Sequence, residues 1–251
     1  MSNNTFTYLL RLADTSLVLS HRLSEWCGKG PALEEDMAMA NTALDLLGQS
    51  RLWLTYAGEV EGAGRDEDAL AYLRSDREFF NFMLVERPNG SYADTLTRQF
   101  YFDAWHSLAL RQLLNSSDAR VAAIAEKSIK EVTYHLRRSS DLVVRLGDGT
   151  KTSRAMMQNA ADALWPYTGE MFAADAVDMV AAEAGIGFDP ATLRQPWLNY
   201  LGEVFEEATI KLPAPGAWMH SGGKQGRHTE VLGYLLAEMQ TLQRSYPGAR
   251  W

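Results

Sequence analysis

The sequence predicts an all-α protein organised around four long helices. Apolar residues recur at three- and four-residue steps over long stretches. No segment shows the period-two alternation of a strand. Clusters of Gly, Pro, Asn and Ser fall between the periodic stretches, where helices stop.

Taken in order, residues 5–26 form the first expected helix. Leu9, Leu12, Leu19 and Leu23 recur at helical steps, and Leu10, Leu17 and Val18 widen the apolar surface. Gly28-Lys29-Gly30-Pro31 stops it. A second helix is expected over 33–60, its first turn holding Glu34, Glu35 and Asp36 at the positive end of the helix dipole. Glu61-Gly62-Ala63-Gly64 ends it. Residues 66–73 and 76–85 read as short helical pieces, followed by the turn Arg87-Pro88-Asn89-Gly90. A third long helix is expected over 92–115. Ser116-Ser117-Asp118 is a joint that supplies an N-cap, and a fourth helix runs to Leu146, before Gly147-Asp148-Gly149.

The four long helices fall in two closely linked pairs. More helix follows: 152–172, with Pro166 bending or ending it, 175–184, a segment opened by Asp189-Pro190, and 229–246. Residues 211–227 are rich in Pro and Gly and read as a loop. No Ser/Gly linker separates a second domain. Residues 1–251 are therefore expected to form a single domain, with a core bundle over about 5–147 and packed C-terminal helices over about 150–246.

Composition narrows the function. A net charge of −8, with no basic stripe, argues against nucleic acid as a partner. One cysteine, Cys27, supports neither an intrachain disulfide framework nor a Cys-rich zinc site. No apolar run is long enough to span a membrane, and the N-terminus lacks the pattern of a signal peptide. A cytoplasmic protein is expected. No P-loop or dinucleotide glycine pattern is present. Ser221-Gly222-Gly223-Lys224-Gln225-Gly226-Arg227 is basic and Gly-rich but reads as a flexible loop. Trp197, Tyr200, Trp218, Tyr234 and Trp251 crowd the last quarter, suited either to an interface or to the core.

The polar residues on the helical faces raise the question of metal. Di-iron carboxylate bundles draw a Glu from each of two helices and a Glu-x-x-His from each of the other two. Here each long helix carries one central acid: Asp14, Asp45, Asp103 and Glu131. Asp103 lies among Leu96, Phe100, Leu110 and Leu114, with His106 three residues on. His135 falls on the inward arc defined by Ile124, Ser128, Val132, Leu136, Leu142 and Val143, with Glu131 at its edge and Tyr134 turned away. The two acid-x-x-His positions after Asp45 and Glu131 hold Gly48 and Tyr134. A glycine has no side chain to ligate with, so these departures weigh against a functional di-metal centre. Without metal the acids would repel, and each is expected to pair locally, with Arg11, Arg51, Gln49, His106, Arg138 and His135 available.

Several motifs together resemble one family. Ala40-Asn41-Thr42-Ala43-Leu44-Asp45-Leu46-Leu47-Gly48-Gln49, Asp103-Ala104-Trp105-His106, Lys130-Glu131 through Tyr134-His135 and Arg145-Leu146-Gly147 fall in order. Gly222-Gly223-Lys224 through His228-Thr229-Glu230, Leu236 to Gln240, and Pro247-Gly248 through Trp251 complete the set. Over essentially the whole chain it resembles the accessory, structural component of bacterial phenylacetyl-CoA 1,2-epoxidases, the ring monooxygenase complexes of phenylacetate catabolism. That resemblance implies a ferritin-like four-helix bundle with additional C-terminal helices. It implies a structural subunit of an oxidoreductase complex, without catalytic residues, metal or other cofactor of its own. The di-iron centre would belong to a related catalytic subunit of the same complex, with a reductase among the other components. The resemblance also implies contact with phenylacetyl-CoA at Glu78, Phe79, Phe80 and Asn81, and at Met179, Val180 and Ala181. Asp14, Asp45, Gly48, Asp103, His106, Glu131, Tyr134 and His135 would be a degenerate metal site.

The residues by themselves leave two other readings open. One is an active di-metal carboxylate oxygenase using Asp14, Asp45, Asp103, His106, Glu131 and His135. The other is a helical adaptor unrelated to oxygenases.

Overall fold

The computed structural model describes residues 2–214, 216 and 218–249, without the side chain of Ser2. Trp251, the last of the expected aromatic group, and Arg250 lie outside the described residues. Ten α-helices and no strand occur among the described residues, so the all-α expectation holds. The chain forms two compact units, Met1–Pro88 with Ser221–Trp251, and Asn89–His220.

The first unit rests on α1 (Ser2–Ser24) packed along α2 (Leu33–Glu61). Residues 13–20 of α1 are buried on every side, so its polar side chains there must find partners. Leu12, expected in the apolar stripe, is only half-buried. Asp36, in the first turn of α2, accepts the Gly30 N–H at 2.8 Å. At the other end Gly62 takes a left-handed conformation, φ 70°, and its N–H bonds back to the Gly58 carbonyl. Next come α3 (Glu67–Tyr72), N-capped by Asp66, and the short α4 (Met83–Glu86).

Residues 76–85, expected as helix, are not one. Asp76–Glu78 is a single 3-10 turn and 79–82 is irregular. The physical reason lies in α1. Asp14 accepts the Phe80 N–H at 2.9 Å, and Thr15 accepts the Phe82 N–H at 3.4 Å. Arg74 donates to the Glu78 carbonyl at 2.7 Å. Side chains have taken the backbone groups that an i→i−4 ladder would need.

The unit is closed by residues from the far end of the chain. The helix α10 (Glu230–Ser245) buries Leu232, Leu235 and Leu236, and Gln240 behind them. Gln240 donates to the carbonyls of Ala71 and Arg74, both at 3.0 Å, and Arg244 donates to the Arg74 carbonyl at 2.8 Å. A carbonyl of the last turn of α3 and that of Arg74 just beyond it are thus satisfied by α10.

The second unit is built on α5 (Tyr92–Leu113), which is buried on nearly every side. Around it lie α6 (Ala119–Gly147), α7 (Lys151–Leu164) and α9 (Arg194–Glu207), with α8 (Ala176–Glu183) following the second 3-10 turn after α7. Ser91 and Asp94 form a capping box at the start of α5, and Asp118 caps α6 through the N–H groups of Arg120 and Val121, as expected of that joint. Leu114 sits past the end of α5 and is exposed, so it does not join the stripe expected around Asp103.

The helix expected over 152–172 stops at Leu164. Trp165–Tyr167, with Pro166, and Gly169–Met171 are 3-10 turns. They carry Trp165 into an aromatic core. Tyr101, Trp165 and Trp197 have ring centroids 5.6–6.0 Å apart, and Trp197 Nε1 donates to the Tyr101 carbonyl at 3.0 Å. The expected aromatic group divides accordingly. Trp197 is core, Tyr200 shares a hydrogen bond with Ser140, and Trp218 and Tyr234 are exposed.

Candidate functional site

In the first unit Asp14 is fully buried, and its partner is Arg74 rather than any of the expected donors. The Arg74 guanidinium meets both carboxylate oxygens, and Phe80 N–H completes the set. Arg74 also lies over the Phe79 ring, 4.2 Å from its centroid. The expected donors are employed elsewhere: Arg11 donates to the Lys224 carbonyl, and Arg51 pairs with Glu67. Asp45 is half-buried and Gly48 is exposed, with no atom within 4 Å of where its Cβ would sit.

The Gly-rich loop is a loop, as expected, but it is packed rather than free. Gly222, Gly223 and Lys224 are buried. At Gly226, φ is 72° and a Cβ would overlap the Arg77 carbonyl oxygen. His228 then joins the buried Glu86. One ring nitrogen lies 2.8 Å from the Phe79 carbonyl oxygen and Nδ1 lies 3.4 Å from a Glu86 oxygen. Glu86 also accepts the Thr229 N–H at 3.0 Å. Arg22 donates twice to the Glu86 backbone carbonyl.

In the second unit Asp103 is fully buried. Gln99 donates to one oxygen at 2.7 Å and Ser139 to the other at 2.8 Å. Burial pushes the carboxyl up to about 6, against the opposing pull of the His135 charge, the two hydrogen bonds and Arg138. His106 is buried between aromatic neighbours, its ring centroid 4.7 Å from that of Phe102, and burial with the His135 charge lowers it to about 3. His135 is buried on the inward arc of α6, Glu131 is half-buried and Tyr134 is exposed, as the helical wheel predicts.

The residues singled out for substrate divide between the units. Glu78 is exposed, Phe79 fully buried, Phe80 half-buried and Asn81 fully buried with its amide on the Phe82 carbonyl at 3.0 Å. On α8, Met179 is exposed, Val180 half-buried and Ala181 buried.

A di-metal carboxylate centre needs anionic oxygens and imidazoles converging on two cations about 3.5–4 Å apart. Asp14 is committed to a guanidinium and Asp103 to an amide and a hydroxyl. Among the described residues no three or more His, Cys, Asp or Glu side chains are grouped to hold a metal ion. The residues present do not fit that centre.

Arg74, Gln99, Ser139 and the Glu86–His228 pair were not singled out from sequence. Gln99 was the most accessible of these, being four residues before Asp103 and on its face. Ser139 lies 36 positions away, and Arg74 lies 60 positions from Asp14. Only the tertiary fold joins them.

Comparison with known proteins now adds to this geometry. The family described as "Phenylacetic acid catabolic protein" matches residues 1–251. The chain is 51% identical over 249 residues to the C subunit of 1,2-phenylacetyl-CoA epoxidase of Escherichia coli (strain K12), covering 99% of this chain and 100% of that protein. Among the described residues, no helix is long and apolar enough to cross a membrane.

Proposed function

Because the chain belongs to the phenylacetic acid catabolic protein family, with its ferritin-like helical fold, we propose that it is the non-catalytic structural subunit of a monooxygenase that epoxidises the aromatic ring of phenylacetyl-CoA. Its partners are a related catalytic subunit that holds the di-iron centre, together with a reductase that delivers electrons. The observation that carries this reading is the 51% identity across nearly the full length of both chains to a protein named as one subunit of such an epoxidase. The commitment of Asp14 and Asp103 to local partners supports the non-catalytic assignment, since neither carboxylate is left to bind a cation.

Within this reading the whole chain acts as one domain, and each of the two substrate segments offers its own contact residues, Glu78 and Phe80 in one and Met179 and Val180 in the other, none of them fully buried. The buried Phe79, Asn81 and Ala181 hold those segments in place.

The test is reconstitution. The purified chain is expected to contain substoichiometric iron and to epoxidise nothing with reductase and O2. Added to the presumed catalytic partner, it is expected to form a stable complex and raise ring epoxidation at least tenfold. About two irons per chain with O2 activation by this chain alone would identify it as the oxygenase. Full activity of the catalytic partner without it would remove its structural role.

A further inference from the structure

A groove on the second unit runs along one face of α7, beside residues 209–214. It encloses about 590 Å³, within the range of small-molecule sites. Lys151, Arg154, Gln158 and Asp162 line it at three- and four-residue steps of the helix, so they share that face. Lys211, Leu212 and Pro213 form the opposite wall.

The wall is held in place by specific bonds. Gln158 clamps the Lys211 backbone, donating to its carbonyl at 3.0 Å and accepting its N–H at 2.8 Å. Thr209 is left-handed, φ 56°, unusual for a β-branched residue. Its hydroxyl donates to the Gly147 carbonyl at 3.2 Å, which also accepts from Arg154 Nε at 2.9 Å. Gly147 is required there, because a Cβ would overlap the Ala208 carbonyl oxygen. The ends of α6 and α9 and the start of α7 therefore meet on one carbonyl, and they fix where Arg154 and Lys211 stand.

Charge follows the same axis. The ammonium groups of Lys151 and Lys211 have no hydrogen-bond or ion-pair partner among the described residues. Arg154 bonds to Gly147 through Nε and is ion-paired with Asp148 at 3.7 Å, a pair open to solvent. The positive end of the α7 dipole adds to them. Asp162, the one acid of the lining, stands at the far end and accepts from Gln158 at 3.2 Å. In a chain of net charge −8, three cations and one acid line this groove.

We propose that this groove binds a phosphorylated organic anion, its phosphate held by Lys151, Arg154 and Lys211 and its organic body lying along Leu212 and Pro213. Ammonium point charges and a guanidinium fork suit phosphate oxygens, and the apolar wall suits a body larger than phosphate itself. No residue of the groove belongs to the substrate segments above, and the proposal does not rest on the reading of the chain as an epoxidase component.

The full-length chain titrated calorimetrically with adenosine diphosphate at low salt provides the test. Saturable one-to-one binding is expected. The double variant Lys151→Gln/Lys211→Gln should weaken it at least tenfold. Lys127→Gln/Lys130→Gln, which removes two exposed cations from α6, should leave it within twofold. Inorganic pyrophosphate should bind more weakly than adenosine diphosphate, and Leu212→Ser should narrow that gap. No saturable binding, equal losses in the two double variants, or equal affinity for hexaglutamate would overturn the proposal. All these positions are solvent-exposed, so circular dichroism is expected to show an unchanged fold.

Discussion

Asp103 and His106 lie one helical turn apart and titrate in opposite directions. The folded Asp103 pKa is about 6, above its usual 3.8, so between those values the native state holds a proton that the unfolded chain releases. Its contribution to stability is present below pH 3.8 and is lost as pH rises through 6. His106 is lowered from 6.5 to about 3, so over that window the unfolded chain holds a proton that the native state excludes. Its contribution is present above pH 6.5 and is lost as pH falls towards 3. Between about pH 4 and 6 the two slopes cancel. Asp103→Asn removes one of them. Urea denaturation across this range should then show stability falling on acidification by about 1.4 kcal/mol per pH unit more than in the wild type. Parallel profiles would mean that Asp103 does not carry its proton in this window. Asp103→Ala differs, because it strips the acceptor from Gln99 and Ser139 and leaves a cavity. At neutral pH it should cost about 2–4 kcal/mol, read as a lower melting temperature with iron content unaltered. The acid was legible in the sequence, since Leu96, Phe100 and Leu110 surround it at helical steps. Its Ser139 partner was not, because nothing in a helical pattern says which face of α6 meets which turn of α5.

At the scale of elements, periodicity located the long helices well, and their ends were written in local chemistry: Asp118 at the start of α6, Gly62 after α2. It failed over 76–85, where local propensity was outweighed by α1. Asp14 and Thr15 bind the N–H groups of Phe80 and Phe82, and Arg74 ties the Glu78 carbonyl to Asp14. The Arg74–Asp14 pair is fully buried, so removing one partner strands a charge. Arg74→Ala is expected to cost about 3–5 kcal/mol. Replacing both residues by apolar ones of similar size, Asp14→Leu with Arg74→Met, should recover part of that loss. The local readout is limited proteolysis, with cleavage near Arg77 appearing in Arg74→Ala before the chain unfolds globally. Resistance equal to wild type would show that the irregular 79–82 segment holds its path without Arg74. The same logic explains why the Gly-rich stretch was read as flexible. Its glycines serve close approach, Gly226 to the Arg77 carbonyl, and composition does not distinguish that use from looseness.

At the scale of the whole molecule, the first unit is made from both ends of the chain, so its integrity depends on residues that arrive last. Without α10, α3 loses the apolar cover of Leu232, Leu235 and Leu236, and the carbonyls of Ala71 and Arg74 lose the Gln240 amide. Without the loop before it, Glu86 loses the Thr229 N–H and His228. Truncation after His220 should therefore unfold α3 and the 76–82 segment rather than merely trim an end. Hydrogen exchange should show amides of residues 67–82 losing at least tenfold protection in the truncated chain. Gln240→Ala isolates the polar part of that effect. It leaves the Ala71 carbonyl without its donor, while Arg74 keeps that of Arg244, at about 1–3 kcal/mol, and should raise exchange at the end of α3 without disturbing α10 itself. Protection of 67–82 unchanged in the truncated chain would mean that α1 and α2 alone fix this segment. Sequence adjacency gave no sign of this closure, because α10 and α3 are joined by two backbone carbonyls and an apolar stripe, neither of which names its partner.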